Sequence, residues 1–187
     1  MIAGREEYLT SFLPELRRVF TRLATFELPL VAAVNGHAIA GGYILAAAAD
    51  RVIMTEGPGR AGVTEMAVGL PFPAIALELL RMRVGDAPAR PLIVGAATFQ
   101  AGPALAWHLI DQAVAAEDLV SRSLAAARRF VALGPAFRLT KRQLRLLPLA
   151  RAQELAVLDA DVDAVWQAPP TLDRIGSYMA SLKPPVG

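Results

Sequence analysis

Residues 30–54 hold the feature that most limits what this chain can become. "LVAAV" (Leu30–Val34) is a short apolar run, and "RVIM" (Arg51–Met54) is a second one. Between them lie "NGHAIAGG" (Asn35–Gly42), with three glycines, and the uncharged, alanine-rich segment Tyr43–Ala49. Short apolar runs of this kind suit strands buried on both faces. A strand, a glycine turn, a buried helix and a second strand form a βαβ crossover, which implies a parallel sheet and an α/β core.

The glycines of that turn need a reason, because glycine loses more backbone freedom on folding than any other residue. A helix that opens at Gly41-Gly42 exposes unpaired N–H groups, which can hold an anion or an oxyanion that develops during catalysis. The alternative is that the pair only permits tight packing of helix on strand. Two known phosphate loops do not fit. No Gly-Lys-Ser/Thr ending follows, and Gly36 and Gly41 are too far apart for a GxGxxG turn.

The rest of the chain reads as helix. Tyr8, Phe12, Leu16, Val19, Phe20 and Leu23 recur at helical spacing, and Pro14 within them predicts a late start or a kink. "EGPGRAG" (Glu56–Gly62) reads as loop. From Ala74 onward the pattern is helical nearly throughout, with segments at Ala76–Leu80, Ala104–Leu109, Leu119–Val131, Leu139–Leu147, Leu155–Trp166 and Leu172–Leu182, the last closed by Pro184 and Pro185. A shift near Phe99–Gly102 divides an expected α/β part, residues 1–100, from a helical C-terminal region, residues 101–187.

Composition narrows the function classes. With 187 residues, 55% of them apolar, the chain can build one sizeable core. The absence of cysteine rules out disulfides and thiolate metal sites, and fits a reducing cytoplasm. A net charge of +2 gives little support to nucleic-acid binding. Leu28–Ala49 is uncharged and long enough to span a bilayer, but Pro29, Asn35, Gly36, His37, Gly41 and Gly42 break it up, so no membrane span is expected. No signal peptide opens the chain as given: Arg5, Glu6 and Glu7 lead into an amphipathic stretch. The expectation is a soluble, cytoplasmic protein.

"LPLVAAVNGHAIAGGYILAAAADRVIM", with "TEMAVG" a short loop later and "GPAFRLTKRQL" downstream, resembles the crotonase (enoyl-CoA hydratase/isomerase) superfamily over almost the whole chain. The resemblance implies the ClpP/crotonase spiral, an α/β core, with a helical C-terminal region that assembles trimers or pairs of trimers. It also implies an acyl-CoA thioester as substrate, with CoA arriving as part of that substrate and no metal or redox cofactor. In this family the Gly-Gly helix start supplies one of two N–H groups that hold the enolate oxygen. By position that donor is Gly41, flanked by Ala40 and Gly42 at the substrate.

Two departures from the family pattern set further expectations. Members of the family carry a further N-terminal segment with early strands, much of the CoA site and the second oxyanion donor. The chain as given starts just after it, so the α/β core is expected to be incomplete and the chain nearly inactive alone. Hydratases of the family also use two glutamates, and the first position here is Ile44, while the second is Glu65 in "GVTEMAVGL". Two carboxylates can hold and activate water for addition to a double bond, whereas one suits proton removal from a carbon beside the thioester and its return to another. Ile44 also makes the pocket drier, which raises the pKa of a nearby carboxylate. The expected function is therefore double-bond isomerisation. The alternatives are a hydratase or lyase of the same superfamily, or a truncated, non-catalytic subunit that only assembles.

Three assignments keep a second reading. Glu65 is either the acid/base or an exposed loop carboxylate. His37 either lines the pocket or is a packed histidine satisfied by backbone. Lys141, in the cluster Arg138, Lys141, Arg142 and Arg145, either reaches a CoA phosphate or is solvated with its neighbours. With two histidines and no cysteine, no metal site is expected.

Overall fold

The computed structural model describes residues 3–181. Helix α1 (Ala3–Ala24) runs unbroken past Pro14 and does not start late. The proline ring lies on the exposed face, while Leu13 and Phe20 on the other face are fully buried and hold the helix in place. The predicted crossover follows. Strand β1 (Val31–Val34) leads to a two-residue strand β2 (Ala38–Ile39), helix α2 (Gly41–Ala47) and strand β3 (Arg51–Thr55). β1 and β3 pair in parallel, Val31 opposite Arg51 and Val34 opposite Met54, as the βαβ reading requires.

The segment read as loop, Glu56–Gly62, ends in strand β4 (Ala61–Gly62). Close approach makes this pairing specific to glycine. A Cβ on Gly59 would sit 2.7 Å from the Gly36 carbonyl oxygen, and one on Gly62 (φ +144°) would strike the Ala97 carbonyl. After β4 come a single 3-10 turn (Glu65–Val68), α3 (Ala74–Val84), α4 (Asp86–Val94), β5 (Thr98–Phe99), α5 (Ala101–Ala106) and β6 (Gln112–Val114). Two small sheets result. β1-β3-β6 is all parallel, and β2-β4-β5 has one parallel and one antiparallel pair. Strands of two or three residues are too short to show a period, so β5 and β6 had no sequence signal.

Helices α6 (Leu119–Ala132), α7 (Gly134–Leu155), α8 (Asp159–Gln167) and α9 (Pro169–Ser181) complete the described chain. Leu182, Pro184 and Pro185, read as the end of the last helix, lie outside the described residues. The core holds Tyr43, Phe20, Leu80, Leu92 and Leu109, all fully buried, and the Tyr43 hydroxyl donates to the Leu109 carbonyl at 2.9 Å. No helix among the described residues is long and apolar enough to cross a membrane.

One helix turns its apolar stripe outward. The stripe Leu139–Leu147 does not face the core: Leu139, Leu144, Leu146 and Leu147 are all more than half exposed. The buried side of α7 instead carries Lys141, Arg145 and Ala152. The two cations are carried by Asp50, whose Oδ2 accepts from Lys141 Nζ at 2.6 Å and whose Oδ1 accepts from Arg145 Nη2 at 3.0 Å. Arg145 donates in addition to the carbonyls of Leu23, Ala24 and Ala48 at 2.7–2.9 Å. A buried charge needs this degree of pairing to be tolerated.

Candidate active site

The site begins at the paired strands β2 and β4. They run parallel, with Ala38 opposite Ala61 and Ile39 opposite Gly62, so the residues that follow each strand leave the sheet at the same edge. One strand delivers Ala40 and Gly41, the other Thr64 and Glu65, and the Ala40 N–H donates to the Gly62 carbonyl at 3.0 Å. The C-terminal edge of parallel strands is where α/β folds place their ligands.

Ala40 takes φ 55°, a left-handed conformation that costs a residue with a Cβ about 1–3 kcal/mol and persists where the surroundings enforce it. Its carbonyl accepts from the Tyr43 and Ile44 amides at 2.8 and 3.1 Å, which starts α2. The amides of Gly41 and Gly42 find no acceptor among the described residues. A Cβ built on either glycine meets nothing within 4 Å, so tight packing of helix on strand is not what requires them. The open space at Gly41 belongs to a cavity.

That cavity has a volume of about 270 Å³, and Ala40, Gly41, Ile44, Thr64 and Glu65 lie on its wall. Glu65 is 7% exposed, which removes the loop-carboxylate reading. Its Oε2 accepts the Thr64 N–H at 2.9 Å. Burial pushes its pKa above that of an exposed glutamate, and the N–H groups of Glu65 itself and Thr64 offset part of the rise. Among the described residues no cation pairs with it, and it is the one carboxylate on the wall. Ile44, 1% exposed, stands one turn along α2 from the free amides.

Three candidates are placed off the cavity wall. His37 is exposed on the turn before β2 and does not line the cavity; Ala38, the next residue, is the one turned inward. Lys141 is neither solvated nor on the cavity wall. It is 5% exposed, its ammonium held by Asp50 and by the Leu28 carbonyl at 2.7 Å, with burial lowering its pKa. Gly42 is exposed and its free amide lies beside, not on, the wall.

The remaining wall was missed from sequence. Phe12, Leu16 and Phe20 of α1 form one side, and Trp166 of α8 with Ile175 and Tyr178 of α9 contribute another. The four-residue spacing along α1 was visible, but not what it faces. Two contacts fix the C-terminal helices there. The Trp166 indole N–H donates to the Pro71 carbonyl at 2.8 Å, and the Arg174 guanidinium lies over Gly69 at the end of the Glu65 turn. No group of three or more histidine, cysteine, aspartate or glutamate side chains that could hold a metal occurs among the described residues.

Comparison with known proteins converges on one family. A sequence model of the enoyl-CoA hydratase/isomerase family matches residues 1–171. A putative enoyl-CoA hydratase of Thermus thermophilus is 34% identical over 148 residues, covering 79% of this chain and 57% of that protein. A probable enoyl-CoA hydratase of Mycobacterium avium is 34% identical over 82% of this chain and 52% of its own length. The chain thus spans about half the length of the curated relatives it matches. The crystal structure of human mitochondrial delta3-delta2-enoyl-CoA isomerase superimposes with a TM-score of 0.84 at 28% identity, over 97% of this chain and 72% of that one. Strand-edge geometry, free glycine amide, buried glutamate and sequence likeness lead to one conclusion: this chain belongs to the enoyl-CoA hydratase/isomerase family of enzymes, in the crotonase superfamily, and has its α/β fold.

Proposed function

We propose that this chain supplies the acid/base and one oxyanion donor of an enzyme that shifts a double bond in an enoyl-CoA thioester, from the 3,4 to the 2,3 position. The Glu65 carboxylate removes a proton from C2, beside the thioester carbonyl, and becomes a carboxylic acid. The negative charge moves onto the thioester oxygen, where the Gly41 N–H donates to it. The same proton then returns from Glu65 to C4, the double bond moves to C2–C3, and the carboxylate is restored. A raised pKa brings Glu65 nearer the range in which it both accepts and returns a proton. CoA enters as part of the substrate, and no other cofactor takes part.

The observation that carries this reading is that Glu65 is the one carboxylate on the cavity wall among the described residues, with buried Ile44 where a second acid would be needed to hold water. The human structure gives it some support, being that of an isomerase. The test is exchange of the C2 proton of an acyl-CoA with deuterated solvent. Glu65→Gln is expected to slow exchange by about 10²–10⁴-fold. Exchange left undiminished by that substitution would overturn the proposal.

Assembly is part of the same proposal. Leu144, Leu146, Leu147 and Val157 are each more than half exposed, and apolar area of this kind suits an interface between copies, in a trimer or pair of trimers in the cytoplasm. Light scattering at micromolar concentration is expected to give three or six times the chain mass; a monodisperse monomer would contradict it. The same surface supports a second reading, a non-catalytic subunit that assembles only. An assembled protein with no C2 exchange would favour that one.

A further inference from the structure

A cavity larger than the one at Glu65 opens beside α7. Its volume is about 480 Å³, and it shares no wall residue with the first. Ala47 and Ala49 bring the C-terminal end of α2 to its wall, while Met82, Phe130, Phe137 and Leu144 add apolar surface. The rings of Phe130 and Phe137 stack at 5.1 Å. Sites for small molecules span roughly 300–1,000 Å³, and at ~30 Å³ per group this one holds roughly sixteen non-hydrogen atoms.

The charged residues on that wall are Asp50, Arg83, Lys141 and Arg145. Arg83 is paired off the wall, with Asp111. Lys141 and Arg145 each have a partner, but it is the same one, Asp50, so the three together keep one positive charge in excess. Donors are left over too. The Lys141 ammonium has three N–H groups and gives two, to Asp50 and to the Leu28 carbonyl. The Arg145 Nε–H donates to nothing among the described residues. Burial lowers the pKa of both cations, an effect that a second anion offsets.

A smaller cavity of about 340 Å³ touches the same two cations from the other side of α7. It suits an anion less well. Its wall carries Glu27, whose carboxylate has only Arg142 at 4.0 Å, whereas both oxygens of Asp50 are engaged by donors.

We propose that the larger cavity binds a monocarboxylate with a ring-bearing apolar body, its carboxylate accepting from Lys141 Nζ and Arg145 Nε and its body lying against Phe130 and Phe137. Two carboxylates then share two cations, and the buried group is neutral. The site is separate from Gly41 and Glu65, so it does not depend on the proposed reaction.

The experiment titrates the 187-residue chain by calorimetry with 2-naphthoate and with 2-naphthamide, its neutral counterpart. Each has about thirteen non-hydrogen atoms and fits the volume. Naphthoate is expected to bind about ten-fold or more tightly than the amide. Lys141→Met should bring the two ligands within about three-fold, with a thermal melt to show that the variant is folded. Two exposed leucines then locate the site. Leu144→Glu sets a carboxylate on the wall of the larger cavity and should weaken naphthoate about ten-fold. Leu146→Glu, on the smaller cavity, should change it by no more than about two-fold. Equal binding of the two ligands, a preference that survives Lys141→Met, or a loss from Leu146→Glu as large as that from Leu144→Glu would overturn the proposal.

Discussion

The two ends of α2 are built by opposite rules. At its C-terminal end every charge is matched: Asp50 accepts from the Leu30 amide, Lys141 and Arg145, and Arg145 also takes the Ala48 carbonyl. At its N-terminal end, six residues away along the helix, Ala40 is strained, two glycine amides are free, and Glu65 is buried with backbone amides as its donors. Both ends bury a carboxylate beside the same short helix. Only one is neutralised. What sets Glu65 apart from Asp50 is that no cation pairs with it among the described residues.

The strongest way to break this comparison is to remove the counter-ion at the matched end. Asp50→Ala leaves Lys141 and Arg145 buried without their anion and the Leu30 amide without an acceptor. A loss of about 3–5 kcal/mol is expected, read as a lower denaturant midpoint. Lys141→Met is milder, since Arg145 and the Leu30 amide still satisfy Asp50. It should cost no more than about 2 kcal/mol and leave the KM for an acyl-CoA within two-fold, because a methionine fills the same apolar space between Phe26 and Phe137. A folded Lys141→Met protein with a ten-fold higher KM would return this lysine to the substrate phosphate.

At the unmatched end the same logic predicts gains. Burial raises the pKa of Glu65 above the 4.5 of an exposed glutamate. Between those values the folded chain holds a proton that the unfolded chain has released. The stability due to Glu65 is therefore complete below pH 4.5 and lost as pH rises through the folded-state value. Glu65→Gln cannot ionise and keeps an oxygen for the Thr64 amide. It should match the parent in acid and exceed it by about 1 kcal/mol at neutral pH, while losing activity. Thermal melts across that range check the sign. The smallest effect is expected from Ala40→Gly, which relieves the left-handed strain and should add at most about 1 kcal/mol.

What the sequence made legible follows from how far each signal reaches. The crossover, the glycine turn, Gly41 and Ile44 lie within one short stretch, and the chain order alone brings them together. Glu65 needed the family resemblance, because its burial depends on the two-residue pairing of β2 with β4, and two residues have no period. The buried side of α7 could not be read, since the partner of Lys141 and Arg145 lies 91 and 95 residues away. Trp166 and Tyr178 reach the cavity through the same kind of long-range packing, which leaves no trace in local spacing.

The most direct test compares two reactions on the same protein: isomerisation of a straight-chain 3-enoyl-CoA and hydration of the matching 2-enoyl-CoA, each with and without Glu65→Gln. One acid beside Ile44 predicts isomerisation faster than hydration by about a hundred-fold or more, with Glu65→Gln lowering isomerisation by about 10²–10⁴-fold. Hydration that keeps pace with isomerisation, or isomerisation that survives Glu65→Gln, would contradict the account.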